Sequence, residues 1–135
     1  MQTIALLHYG CTAFMAGIVW YAQIAHYPLF AAVPATSFPD YQRRNIARTA
    51  CLVVPAMAVE AATALWLLWN LRTTAAAAAA TLLLGVWGLT AAHWTQHRAL
   101  AQSFSEERHR RLLTLHWVRV AAWTARSILA ATMAA

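Results

Sequence analysis

Four long apolar stretches, separated by short polar segments, constrain this chain of 135 residues more than any motif in it. A helix needs about 20 apolar residues to cross the hydrocarbon layer of a bilayer, so a chain this short holds four crossings and little else. Composition points the same way: at 61% hydrophobic and 10% charged residues there is too little polar surface to coat a water-soluble globule. The expected fold is all-α, one domain over residues 1–135 forming an antiparallel four-transmembrane-helix bundle, with helices at about 3–27, 38–70, 75–97 and 104–134.

Local signals set these bounds. Pro28 lacks an amide proton and ends the first helix after Tyr27. Ser37 with Asp40, and Ser103 with Glu106, have capping-box spacing and start the second and fourth helices. Pro55 lies inside the second helix and deprives the Cys51 carbonyl of its usual donor, which predicts a bend or an oxygen free for a partner. The third helix contains a six-alanine run and then Gly85 and Gly88, a small-residue face on which a neighbour, or a second copy in a homo-oligomer, could approach closely. Cys11 and Cys51 share no metal-ligand spacing and are expected as small buried residues. The N-terminal MQTIALL has no basic region and leads to no cleavage motif, so it is expected to stay as a helix.

Net charge is +6, carried by ten arginines and no lysine. Arg43, Arg44, Arg48, Arg98, Arg108, Arg110 and Arg111 lie in the first and third connections, and Arg72 alone lies in the second. This asymmetry places both termini on the outer, periplasmic side of a bacterial inner (cytoplasmic) membrane, as a multi-pass protein whose partner is the lipid bilayer and not nucleic acid. The last two arginines, Arg119 and Arg126, fall inside the fourth helix, where an arginine costs about 2.5 to 3.5 kcal/mol on insertion scales. Both must face the interior.

Around them the polar residues fall into register. His116, Arg119, Trp123 and Arg126 recur at intervals of three, four and three, one face of a helix. The third helix carries Thr90, His93 and His97, the first Gln23 and His26, the second Asn45, Glu60 and Thr63. By rise per residue, His26, His93, His97 and His116 share a layer in the cytoplasmic half, with Glu60 and Arg126 near mid-membrane. Glu60 is expected to pair with Arg126 or Arg119. His8 lies outside that layer, and His109, in the run EERHRR, is expected to be solvated. Trp66, Trp69, Trp94, Trp117 and Tyr27 fit interfacial belts, whereas Trp20, Trp87 and Trp123 are expected deeper.

These residue types allow two chemistries. Neutral imidazoles are common ligands of Fe, Cu and Zn, so His93 and His97 with His26 or His116 could hold a metal ion or a non-covalent haem; no C-x-x-C-H attachment signature is present. Two arginines against one intramembrane acid leave a surplus positive charge, which suits a carboxylate, phenolate or other anionic guest. Glu60 serves either as a counter-ion or as a group that handles a proton.

The segments QIAHYPLF from Gln23, VVPAMAVE ending at Glu60, TQHRAL from Thr95 and HWVRVAAWTAR ending at Arg126 resemble those of a widespread group of small four-helix bacterial membrane proteins of unassigned chemistry. The resemblance covers most of the chain. It rests on His26, Pro55, Glu60, His97, Trp117, Arg119, Trp123 and Arg126, while His116 stands where an asparagine is more usual. In size and helix plan the chain is more distantly similar to anthrone-oxygenase-like membrane proteins, a likeness that implies oxidation of a hydrophobic aromatic but carries no matching motif.

The leading expectation is therefore a membrane-bound oxidoreductase acting on a hydrophobic, anionic or quinone-like small molecule. In it the histidines bind a metal ion or haem, while Glu60, Arg119 and Arg126 are catalytic. The alternative is a non-enzymatic binding, transport or assembly protein in which the same residues form a structural network or a path for protons or anions.

Overall fold

The computed structural model describes residues 1–135 and contains four long helices: α1 (Gln2–Tyr21), α2 (Phe38–Leu71), α3 (Thr74–Gln102) and α4 (Glu106–Ala134). α1 packs along α2 and α4, and α3 packs along the same two. Three segments are long and apolar enough to cross a membrane: Gln2–Ala32, Phe38–Leu71 and Thr74–Gln102. α4, of 29 residues, has the lowest mean hydropathy of the four because it opens on the charged run Glu106–Arg111 and its inward face carries His116, Arg119 and Arg126, all buried. Its outward face is Leu115, Trp117, Val118 and Ile128.

The helix ends depart from expectation for local reasons. α1 stops at Tyr21 rather than Tyr27, continues as a π-helical turn over Ala22–His26, and then as a 3-10 turn over Pro28–Ala32. Tyr27 N–H donates to the Ala22 carbonyl at 2.8 Å, a five-residue step that widens the helix just before the proline. Ser37 precedes α2, but its hydroxyl donates back to the Pro34 carbonyl at 3.2 Å instead of capping, and Asp40 is taken up by Arg43 and Arg44. The cap of α4 is Ser105, which accepts from Arg108 N–H at 3.2 Å. Ser103 instead ends α3, and its hydroxyl oxygen accepts from the Arg108 guanidinium at 2.7 Å. α3 runs on past His97 to Gln102 because no breaker intervenes. Between α2 and α3 Arg72 turns the chain in a left-handed conformation (φ 51°), and Thr73 caps α3 by accepting from Ala76 N–H.

α2 is unbroken through Pro55. The cysteines are not the buried residues expected: Cys51 is exposed, its thiol donating to the Ala47 carbonyl, and Cys11 is half-buried. Gly85 and Gly88 make no close approach within the chain, since a Cβ at either would meet nothing within 4 Å. Of the three tryptophans expected to lie deep, Trp123 is fully buried, whereas Trp20 and Trp87 face outward and are over 40% exposed.

Inside, polar and apolar residues alternate in layers along the helices. Met15, Val19, Leu83, Val86, Val120 and Trp123 belong to one buried apolar cluster. In each of α1, α3 and α4 they separate two polar levels, one holding Thr12, Ala79 and Arg126 and the other Gln23, His93 and His116. A second cluster of Tyr27, Phe30, Phe38, Leu100 and Leu112 closes the far end of the histidine level. Arg119 and Arg126, seven residues apart, are thereby offset by about 10 Å along the axis.

Candidate functional site

The first polar level is built on a buried ion pair. Glu60 is fully buried, and Oε1 accepts from the Arg126 guanidinium at 2.6 Å and from the Thr12 hydroxyl at 2.8 Å. Arg126 donates a second bond to the Ala79 carbonyl at 2.6 Å and lies over the Trp123 ring at 5.7 Å. Thr63 donates to the backbone one turn earlier, so its oxygen is left to accept from Nδ1 of His8 at 3.0 Å. Of the two pairings expected for Glu60, the fold uses Arg126. His8, absent from the imidazole layer as expected, is nonetheless 1% exposed and part of this network.

The second level is built around Tyr27. This residue is buried rather than interfacial, its ring centroid lying 4.8 Å from His116, 5.1 Å from His97 and 5.6 Å from His93. His93 lies 4.8 Å from both His97 and His116, so three of the four expected imidazoles converge. His26 is half-buried on the other side of Tyr27, centroids 5.6 Å apart, with Nε2 2.9 Å from Asn45 Oδ1. His97 is engaged on both nitrogens, by Gln42 at 2.6 Å and by the Tyr27 hydroxyl at 3.1 Å. His116 Nδ1 meets Gln23 Oε1 at 2.9 Å. Arg119 has no acid partner; it donates to Thr90 Oγ1 at 3.4 Å, and its guanidinium stands against the Tyr27 hydroxyl.

His109 is not solvated as its sequence context suggested. It is 8% exposed and donates through Nε2 to the Tyr27 carbonyl at 2.7 Å, holding the chain where the π turn meets Pro28. Gln42, fully buried, was also missed, although Gln42, Asn45 and Thr49 recur at intervals of three and four on one face of α2.

A cavity of about 350 Å³ lies against this level. Its walls are Ile18, Val19, Val53 and Met57 with other apolar residues of α1 and α2, and its polar lining includes His93, His116 and Arg119. His93 Nε2, His116 Nε2 and Arg119 Nε are all buried without a hydrogen-bond partner. Buried polar atoms are nearly always paired; three of these exceptions are on residues that line the cavity, and the other three, Glu60 Oε2, Arg126 Nε and Trp123 Nε1, lie outside it. No three His, Cys, Asp or Glu side chains are grouped as metal ligands. Of the four histidines, only His93 and His116 have a buried Nε2 without a partner. Comparison with models of known protein families, with curated proteins and with solved structures finds no match to this chain.

Proposed function

We propose that this chain is an antiparallel four-helix protein of a bacterial inner membrane, both termini periplasmic, that binds a hydrophobic small molecule with a quinone-like or anionic head. One observation carries the reading: the cavity is apolar over most of its wall, and among its polar lining residues His93, His116 and Arg119 each have a buried unpaired nitrogen. That is the form of a site for an amphiphile, with an apolar body against aliphatic side chains and a few polar contacts fixing its head. Leu52 and Val54, on the α2 wall, are each at least 60% exposed, so the cavity adjoins a surface on which lipid would lie. In the reading adopted here Glu60 and Arg126 form a buried structural pair, and the surplus charge of Arg119 is what the guest's head meets.

The test is photolabelling of the full chain in lipid nanodiscs with a short-tailed benzoquinone carrying a diazirine. The expected adducts cluster around Ile18 and Val53 and are competed by excess unlabelled quinone. Labelling spread over the outward faces of all helices, without competition, overturns the proposal.

A second reading is favoured by the two unpaired Nε2 atoms themselves. A metal ion (Fe, Cu or Zn) or a haem iron ligated there by His93 and His116, with Gln23 Oε1 fixing the ring of His116 from behind, would make the protein an oxidoreductase towards the same guest. Elemental analysis and the absorption spectrum of purified protein decide it: a stoichiometric metal or a Soret band supports the reading, and neither refutes it.

A further inference from the structure

The hydrogen bonds beside the cavity run in one direction. Asn45 Nδ2 donates to Gln42 Oε1 at 3.2 Å, which turns the amide nitrogen of Gln42 towards Nδ1 of His97. An amide nitrogen only donates, so Nδ1 of His97 accepts and its proton sits on Nε2, where it donates to the Tyr27 hydroxyl oxygen. At the start of the chain Asn45 Oδ1 only accepts, so Nε2 of His26 donates to it. Tyr27, at the end, has received a hydrogen bond and finds no acceptor on the chain for its own hydrogen. On the opposite side, Gln23 Oε1 accepts from Nδ1 of His116, which leaves Nε2 of that ring a buried acceptor without a donor. Between them stands Arg119, a cation with no acid beside it.

Apart from His93 Nε2, whose tautomer no hydrogen bond fixes, the level therefore offers two donors and one acceptor, and an asymmetric head is needed to satisfy them. Resting on the binding reading above, we propose that the guest carries a weakly acidic hydroxyl on an apolar body, a phenol, quinol or carboxylic acid. Its O–H donates to His116 Nε2 while its oxygen accepts from the Tyr27 hydroxyl and the Arg119 guanidinium. Such a molecule reaches the cavity neutral through lipid. If the proton then crosses, the O–H bond breaks, an N–H bond forms at His116, and the electron pair stays on the oxygen as an anion beside Arg119. Ethers, esters and the quinone itself can still accept from Tyr27 and Arg119 but bring no hydrogen for His116, so they should bind more weakly than a hydroxyl-bearing guest of the same body. Gln23 and Gln42 are positioning residues here, acting through His116 and through His97 and Tyr27.

The experiment competes the diazirine quinone from nanodisc-embedded full-length protein with four compounds: a 4-alkylphenol, its methyl ether, a fatty acid and its methyl ester. At least one acid should compete ten-fold or more better than its capped partner. Which acid does so says whether the guest is aromatic or lipid-derived. His116→Phe, which fills the same space without an acceptor, should abolish the preference of the acid over its capped partner. With ¹⁵N-labelled histidine, His116 should show a protonated Nδ1 and a bare Nε2 in the free protein, and Gln23→Leu should mix the two tautomers. If the quinone binds but acids and capped compounds compete equally, or if His116→Phe retains the preference, this proposal falls and the binding reading stands. If the quinone itself shows no saturable site, both fall.

Discussion

Removing either partner of the Glu60 and Arg126 pair should be far more damaging than removing both. The two side chains are 0% and 1% exposed and meet at 2.6 Å. Glu60→Leu leaves the guanidinium with a single bond, to the Ala79 carbonyl, and no counter-charge, while Arg126→Leu leaves the carboxylate with only the Thr12 hydroxyl. Stranding one charge of a buried pair costs about 3 to 5 kcal/mol, whereas replacing the whole pair with apolar side chains is often neutral or better. The double variant should therefore lie within about 2 kcal/mol of the parent, and the cycle should return a coupling of several kcal/mol. Glu60→Gln, which keeps an acceptor for Arg126 and Thr12 but weakens a charge-assisted bond to about half, should fall in between. Reversible unfolding in mixed micelles by titration with dodecyl sulfate gives the four free energies. If the two single effects add to within about 0.5 kcal/mol of the double, the pair carries no mutual energy. The inward face of α4 would then need another explanation.

Trp123→Ala should cost about 3 to 5 kcal/mol in the same assay, because the ring is fully buried between the two polar levels and also faces Arg126; a loss under 1 kcal/mol would place it outside the core. Ser105→Ala should cost about 1 kcal/mol and Ser37→Ala much less, since only Ser105 caps a helix, and equal effects would contradict that difference. Gly85→Ala should be tolerated, gaining up to about 1 kcal/mol of helix propensity, because open space surrounds it. A clear loss on that substitution, with a change of mass in cross-linking, would instead show a second copy packed on α3.

The fold was legible because its signals are long-range averages. Apolar stretches and intervals of three and four give helices and inward faces directly, and they placed His116, Arg119, Trp123 and Arg126 on one buried face of α4. What escaped were decisions made by single contacts. Ser103 and Ser105 are equally good caps by type, and only the position of Arg108 separates them. His109 reads as surface because arginines flank it, yet one turn of helix turns its ring inward to the Tyr27 carbonyl. Tyr27 reads as an interfacial anchor beside Pro28, but it follows a π turn and lies among the imidazoles. The π turn is itself a local rearrangement that no periodicity encodes.

The two polar levels differ in a way that bears on function. Both place charge in an apolar interior, and an interior of this kind gains nothing from a polar atom left unbonded. Around Glu60 the charges are matched: the acid faces the arginine, the arginine also reaches a carbonyl, and the neighbouring hydroxyls and His8 bond among themselves, while Glu60 Oε2 and Arg126 Nε have no partner on the chain. Seven residues away on α4, Arg119 has no acid, and the two imidazole nitrogens sharing its cavity have no donor or acceptor. A purely structural role would favour replacing His116 or Arg119 by an apolar residue, which would relieve the unmet bonds and lengthen the apolar face. Their presence beside empty apolar volume is accounted for when the missing partner is a molecule that comes and goes. On the proposed reading, the ion-paired level braces α1, α2 and α4, and the level around Arg119 is the one that takes the guest.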